Sequence, residues 1–331
     1  MTGAATLAGR RSHEEPFARQ SPLCDTLEVA LDGGPGALEA LRGGRPVDRR
    51  DRVTSLLALY ALHTAPVAAL GDRARLQGHP VVAELKDRLE TAWIAELDRV
   101  EVPEGDTLAE MRALATRDRI PDCYRWLAES ATWDELVHFL ALEGGPDAGF
   151  DDLVAACQLG LHGSAKLELA TNYWDEMGNG RLDHVHTILH EQMVAAIDMP
   201  RIAPADQPTE ALERAAAGAL LATNRYLQPE LLGALGLTEL QAGPRCRMVV
   251  RAFDRLGAPA EAYPFYAVHA QVDPLHGRAW LENAIAPTVD ELPGWGPRIL
   301  RGAAWRAQLN TAFFDVAWPI VRQREVRAVA T

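Results

Sequence analysis

His269, Asp273 and His276 stand four and then three residues apart in the stretch YAVHAQVDPLHGRAW. On an α-helix those positions share one face, stacked about a turn apart. Two imidazoles and a carboxylate stacked this way make half of a metal site, with a ligand set suited to iron. Ten His and 46 acidic residues in a chain of 331 would give roughly 0.04 copies of His-x3-acid-x2-His by composition alone. The competing reading is a solvated helix face carrying an i,i+4 His–Asp contact.

A half-site needs ligands from other helices, and three acids are candidates. Glu176, in NYWDEMGNG, is followed ten residues later by His186 in DHVHTILH. Gly178 and Gly180 would end one helix and let the next turn back, bringing His186 towards Glu176. Glu239 lies among Leu235, Leu237 and Leu240, where a buried acid is costly unless neutral, paired or metal-bound; the alternative is an ion pair with Arg245 or Arg247. Glu143, in HFLALEGG, ends an apolar helix and is otherwise a surface acid. Glu135 and His138 read as a surface pair, and Asp151 and Asp152 as acids in a first helical turn. His190-Glu191 fails as a zinc-protease motif because Val194 stands where its second His belongs.

The elements that must hold these residues are helices. Apolar residues recur at three and four near 51–70, 80–100, 106–117, 121–129, 132–144, 150–178, 183–197, 209–227, 229–240, 244–257, 260–285 and 299–325, and alternating β-branched runs are almost absent. Thr132 before DELVHFL marks a helix start. Glycine- and proline-rich breakers separate the segments, among them EGGPDAG at 143–149 and LGLHG at 159–163. The fold class is therefore all-α: a flexible stretch over 1–20, a helical N-terminal extension over 21–78, and one helical bundle over 79–325.

Composition narrows the partners. A net charge of −13 argues against nucleic acid or an anionic membrane. The longest apolar run, SLLALYALHTAPVAAL, is broken by His63 and Pro66 and is too short to span a bilayer. Cys24, Cys123, Cys157 and Cys246 show no paired or zinc-type spacing and read as small buried hydrophobes in a reducing compartment. The polar N-terminus lacks a secretory h-region, so a cytoplasmic protein is expected.

Taken together, the HxxxDxxH element, the Glu thirty residues before it and the earlier Asn-x-x-Asp-Glu-x-Gly with its trailing His resemble the haem-oxygenase-like di-iron oxidases and oxygenases. The resemblance covers roughly 79–325 and implies a haem-oxygenase-like bundle with two iron ions cycling between Fe(II) and Fe(III) and O2 as co-substrate. It implies that Glu176 and His186 bind one iron, that Asp273 and His276 with His269 serve the second, and that Glu239 bridges. Some N-oxygenating members recruit an extra carboxylate from the preceding core helix, and Glu143 sits where it could come from. The family acts mostly on amino acids, amines or fatty acids, often in specialised metabolism, so the expected activity is N-oxygenation of an amine or amino-acid-derived substrate. Desaturation or C–C cleavage at the same centre is the alternative, and a non-catalytic helical binding protein is the rival from another class. The partners implied are a small-molecule substrate, with Arg225, Arg245 or Arg247 available to a carboxylate, an external electron donor and a second copy in a homodimer. Pro274, inside the ligand helix, removes a backbone hydrogen bond, so residues 265–280 are expected to tighten when iron binds.

Overall fold

The computed structural model describes residues 22–33, 36–144 and 149–328, and among these no strand occurs. The stretch 1–20, expected to be flexible, lies outside them. The chain divides into two compact units, one running to Leu89 with Ala203–Ala205, the other holding the remainder. The division falls later than the expected 78/79 boundary, inside a helix.

The first unit contains α1 (Pro22–Asp32), α2 (Arg49–Thr64), the short α3 (Val67–Leu70) and the start of α4 (Pro80–Leu97). Its core is leucine-rich, with Leu27, Leu38, Leu56 and Leu59 fully buried. Asp51 organises it. The first amides of α1 have no partners within the helix, and the buried Asp51 carboxylate accepts from Leu23 N at 3.1 Å, Cys24 N at 3.2 Å and Val47 N at 2.9 Å.

The second unit contains α5 (Thr107–Arg117), α6 (Asp122–Glu129), α7 (Trp133–Gly144), α8 (Phe150–Cys157), α9 (Gly163–Glu176), α10 (His186–Ala196), α11 (Thr209–Thr223), α12 (Gln228–Leu256), α13 (Tyr263–Ala279), α14 (Ala286–Glu291) and α15 (Gly296–Ala328). Two expectations change. The segment expected over 150–178 is two helices, broken at the LGLHG punctuation. The segments expected over 229–240 and 244–257 are one helix, α12, which runs through Pro244 because neighbouring helices bury it along most of its length. Glu135 is also not half of a surface pair with His138. It is buried and closes a capping box with Thr132, accepting from Thr132 N at 2.8 Å while its own amide donates to Thr132 Oγ1 at 3.3 Å.

α12 is the central strut, with α13 and α15 packed along it. Against α15 the backbones nearly touch: a Cβ on Gly302 would lie 2.0 Å from Glu230 O. Glu230, completely buried, is held there by Arg298 and Arg301. Against α13 the contact is again backbone to backbone, since a Cβ on Gly277 would lie 3.0 Å from Glu239 O and from Leu240 Cα. That approach sets the acid of α12 against the histidine helix.

Candidate metal centre

α9 ends at Glu176, and the chain reverses through Gly178, Asn179 and Gly180, all at positive φ. Gly178 is required twice over. Its φ is +61°, and a Cβ there would meet His184 C at 2.5 Å and Val185 N at 2.6 Å. The reversal starts α10 at His186 and lays its Nδ1 2.8 Å from Glu176 Oε2, both residues buried. The expectation drawn from the two glycines is met in geometry.

α13 presents His269, Asp273 and His276 along one face, and the structure divides them. Ligating atoms of Glu176, His186 and His269 lie within 4.8 Å of one another; so do those of Glu239, Asp273 and His276. His269 therefore groups with Glu176 and His186, not with Asp273 and His276 as the resemblance had it, and its ring packs edge-on to His186 at 4.5 Å. The reason is helical pitch: His269 lies a full turn before Asp273 and reaches the α9–α10 turn.

The histidines are oriented by their second nitrogens. His269 Nδ1 is 2.7 Å from Phe265 O; a carbonyl only accepts, so Nδ1 carries the proton and Nε2 is left as a lone-pair donor. His276 Nε2 donates to Asp175 Oδ2 at 2.8 Å, while Nδ1 faces Glu239 Oε2 at 3.7 Å. Asn172 Nδ2 donates to Glu239 Oε1 at 2.9 Å. Asn172 and Asp175 entered the sequence reading only as letters of the Asn-x-x-Asp-Glu-x-Gly motif, with no part assigned to either. The available signal was their spacing, one turn and one residue before Glu176, which puts both at the same end of α9.

Four buried polar atoms here have no hydrogen-bond partner: His186 Nδ1, Asp273 Oδ2, His276 Nδ1 and Asn172 Oδ1. The short His186–Glu176 contact lacks hydrogen-bond geometry, so it leaves His186 Nδ1 without a partner. Such orphans are costly in a protein interior unless a cation fills the gap. Charge tells the same story. Burial first, then the Glu176 carboxylate, pushes the Glu239 carboxyl up to about 8, with Asn172 opposing. Burial and Glu239 likewise hold Asp273 well above the usual carboxylate range, with Arg247 opposing. Burial lowers His269. Each shift is what a densely acidic, water-poor site shows before a cation neutralises it. The donors fit divalent iron: the first group is two imidazoles and a carboxylate, the second one imidazole and two carboxylates, and no thiolate intrudes. Cys246 stays a thiol, its pKa raised by burial and by Asp273.

Pro274 breaks the ladder of α13 and frees the Ala270 carbonyl. Arg247 answers it, donating from Nη1 to Ala270 O at 2.8 Å. The other two arginines offered to a substrate are also committed: Arg245 donates to Asp118 O and Gln241 Oε1, and Arg225 to Leu159 O. None pairs with Glu239.

Glu143 joins neither group. Its carboxylate accepts from the Tyr124 hydroxyl and lies 3.8 Å from Arg214 Nη1, and its carbonyl accepts from Arg214. It is neither a ligand in this geometry nor a surface acid. A different acid senses the first group: Asp151, in the first turn of α8, is raised by burial, by Asp152 and by the Glu176 charge.

A family model described as an iron-containing redox enzyme matches residues 137–311, a span that includes all six grouped residues. No curated protein matches the chain.

Proposed function

Because the chain belongs to the iron-containing redox enzyme family and is an all-α oxidoreductase of haem-oxygenase-like fold, we propose that its centre is non-haem and di-iron and that it uses O2. The observation that supports this most is the pair of adjacent three-residue groups whose buried lone pairs converge without partners. A single iron would leave one group uncompensated. Glu176, His186 and His269 would hold one ion, Asp273 and His276 the other, and Glu239, on the second group's side, is the carboxylate available to both. Two ferrous ions there would supply electrons to dioxygen, and each three-residue set leaves coordination positions open.

The protein's own part is to prepare the ligands. Asp175 and the Phe265 carbonyl fix which nitrogen of His276 and His269 keeps its proton, and Asn172 holds one oxygen of Glu239. The proton that burial favours on Glu239 leaves when a cation takes its place. The reaction we favour is N-oxygenation of an amine or amino-acid-derived substrate, with an external electron donor restoring the ferrous state. Glu143, the extra carboxylate that the resemblance offered for it, is taken up by Tyr124 and Arg214. No helix among the described residues is long and apolar enough to cross a membrane, so a water-soluble substrate and donor are the ones to try first.

Anaerobic titration of the metal-free protein with Fe(II), then mixing with O2 and candidate amines, tests the reading. Two irons per chain and a product gaining oxygen support it. A product losing two hydrogens or a carbon unit moves the activity to desaturation or C–C cleavage. One tightly held zinc, or no stoichiometric metal, overturns the di-iron reading and leaves a helical binding protein.

A further inference from the structure

The patterned face of α13 begins before its metal ligands. Tyr263, Tyr266, His269, Asp273 and His276 follow one another at three, three, four and three residues. Both tyrosines therefore share the ligand face, about one and two turns before His269. At about 1.5 Å of rise per residue the row extends about 9 Å beyond His269, to the first residue of the helix.

Ring contacts join the row. Phe265 packs on His269 at 4.6 Å between centroids and edge-on to Tyr266 at 5.1 Å. Phe253 of α12, fully buried, stands edge-on to Tyr266 at 5.8 Å and to Tyr263 at 5.6 Å. His269 in turn touches His186 at 4.5 Å, so ring contact runs from the first ligand group to Tyr263. The far end meets solvent. Tyr263 is half-buried, and its phenol is hydrogen-bonded to the carboxylate of Asp254, an exposed residue. Phenylalanine at 263 and 266 would pack these rings as well. What the hydroxyls add is chemistry: a phenol, unlike a benzene ring, gives up an electron readily when its proton has an acceptor.

Iron that has reacted with O2 while no substrate is bound is an oxidant whose nearest targets are its own ligands. We propose that Tyr266 and Tyr263 are redox-active residues that draw this oxidising equivalent to the surface and leave it as a radical on Tyr263. The inference rests on the O2-using iron centre proposed above. Tyr263 gives up one electron, which passes by way of Phe253, Tyr266 and Phe265 to the oxidised iron and reduces it by one unit. The phenol proton goes to Asp254, leaving a neutral tyrosyl radical, and Tyr266 ends as it began. An external one-electron donor then restores Tyr263, and the proton returns from Asp254.

The test mixes the Fe(II)-loaded full chain with O2 in the absence of substrate. Iron oxidation is followed by visible absorbance, and frozen samples are read by electron paramagnetic resonance. An organic radical should appear as the iron oxidises, and its signal should narrow in protein made with ring-deuterated tyrosine. Tyr263→Phe should remove the long-lived signal. Tyr266→Phe should lower its yield at least tenfold, with iron stoichiometry unchanged. The same variant should gain severalfold more oxygen on the chain itself by intact mass, because the oxidant stays beside the ligands; a tyrosine that only packs would alter neither reading. Should Tyr266→Phe fold poorly by circular dichroism, Asp254→Asn at the surface, which removes the proton acceptor, should lower the radical yield severalfold. Iron that oxidises without any tyrosyl signal overturns this proposal alone. So does a signal unchanged in folded Tyr263→Phe and Tyr266→Phe variants. Iron that does not bind, or is not oxidised by O2, overturns the reading of the metal centre and this inference with it.

Discussion

Replacing Glu239 by Gln isolates the electrostatics of the metal centre. In the folded, metal-free protein the Glu239 carboxyl titrates at about 8, against 4.5 in the absence of its surroundings, chiefly because burial strips it of water and Glu176 stands nearby. The folded state therefore holds a proton that the unfolded chain has released. Below pH 4.5 the two states are alike at this residue and its stabilising share is whole; as pH rises towards 8 that share is lost. The slope is about 1.4 kcal/mol per pH unit, and the full loss about 5 kcal/mol. Gln carries no proton to lose and can still accept from Asn172 Nδ2. Urea unfolding of metal-free wild type and Glu239→Gln at pH 5, 6, 7 and 8 measures the difference. Wild type should lose ground to the variant steadily, by several kcal/mol over the series. Asp273, raised in part by Glu239, moves in the same direction and steepens the wild-type curve. Parallel curves from pH 5 to 8 would show that Glu239 is solvated or ionised in the fold, and the argument for a cation-hungry site would fail with it.

Three further outcomes follow from the same geometry. Asp175→Ala frees His276 Nε2 and its tautomer, so metal affinity should fall about 10- to 100-fold in competition with a chelating indicator; unchanged affinity would make the 2.8 Å contact incidental. Gly178→Ala places a methyl against the backbone of His184 and Val185 at a φ that L residues avoid, which should cost about 1–3 kcal/mol in thermal unfolding and weaken iron binding at the Glu176–His186 pair. Fe(II) should slow amide exchange over residues 265–280, where Pro274 leaves α13 a bond short; identical exchange with and without iron would mean that Arg247 has already repaired the helix.

Much of the centre was readable before any coordinates, because ligands on one helix obey pitch. The spacing of His269, Asp273 and His276 fixes their common face, and the glycines after Glu176 dictate a reversal that only left-handed residues permit. An acid amid leucines, Glu239, announces its own energetic problem. The all-α class follows from the same periodicity. What spacing could not convey was which helix approaches which. His269 joins Glu176 and His186 because α13 passes the α9–α10 turn a full turn before Asp273. α12 runs unbroken through Pro244 because packing on its flanks outweighs the lost bond. Glu143, plausible as a ligand from its place at a helix end, is drawn off by Tyr124 and Arg214, which come from other helices. Local sequence sets the period, the turns and the ligand types; the partner of each buried charge is decided by contacts between residues far apart in the chain, and only the packed bundle contains those.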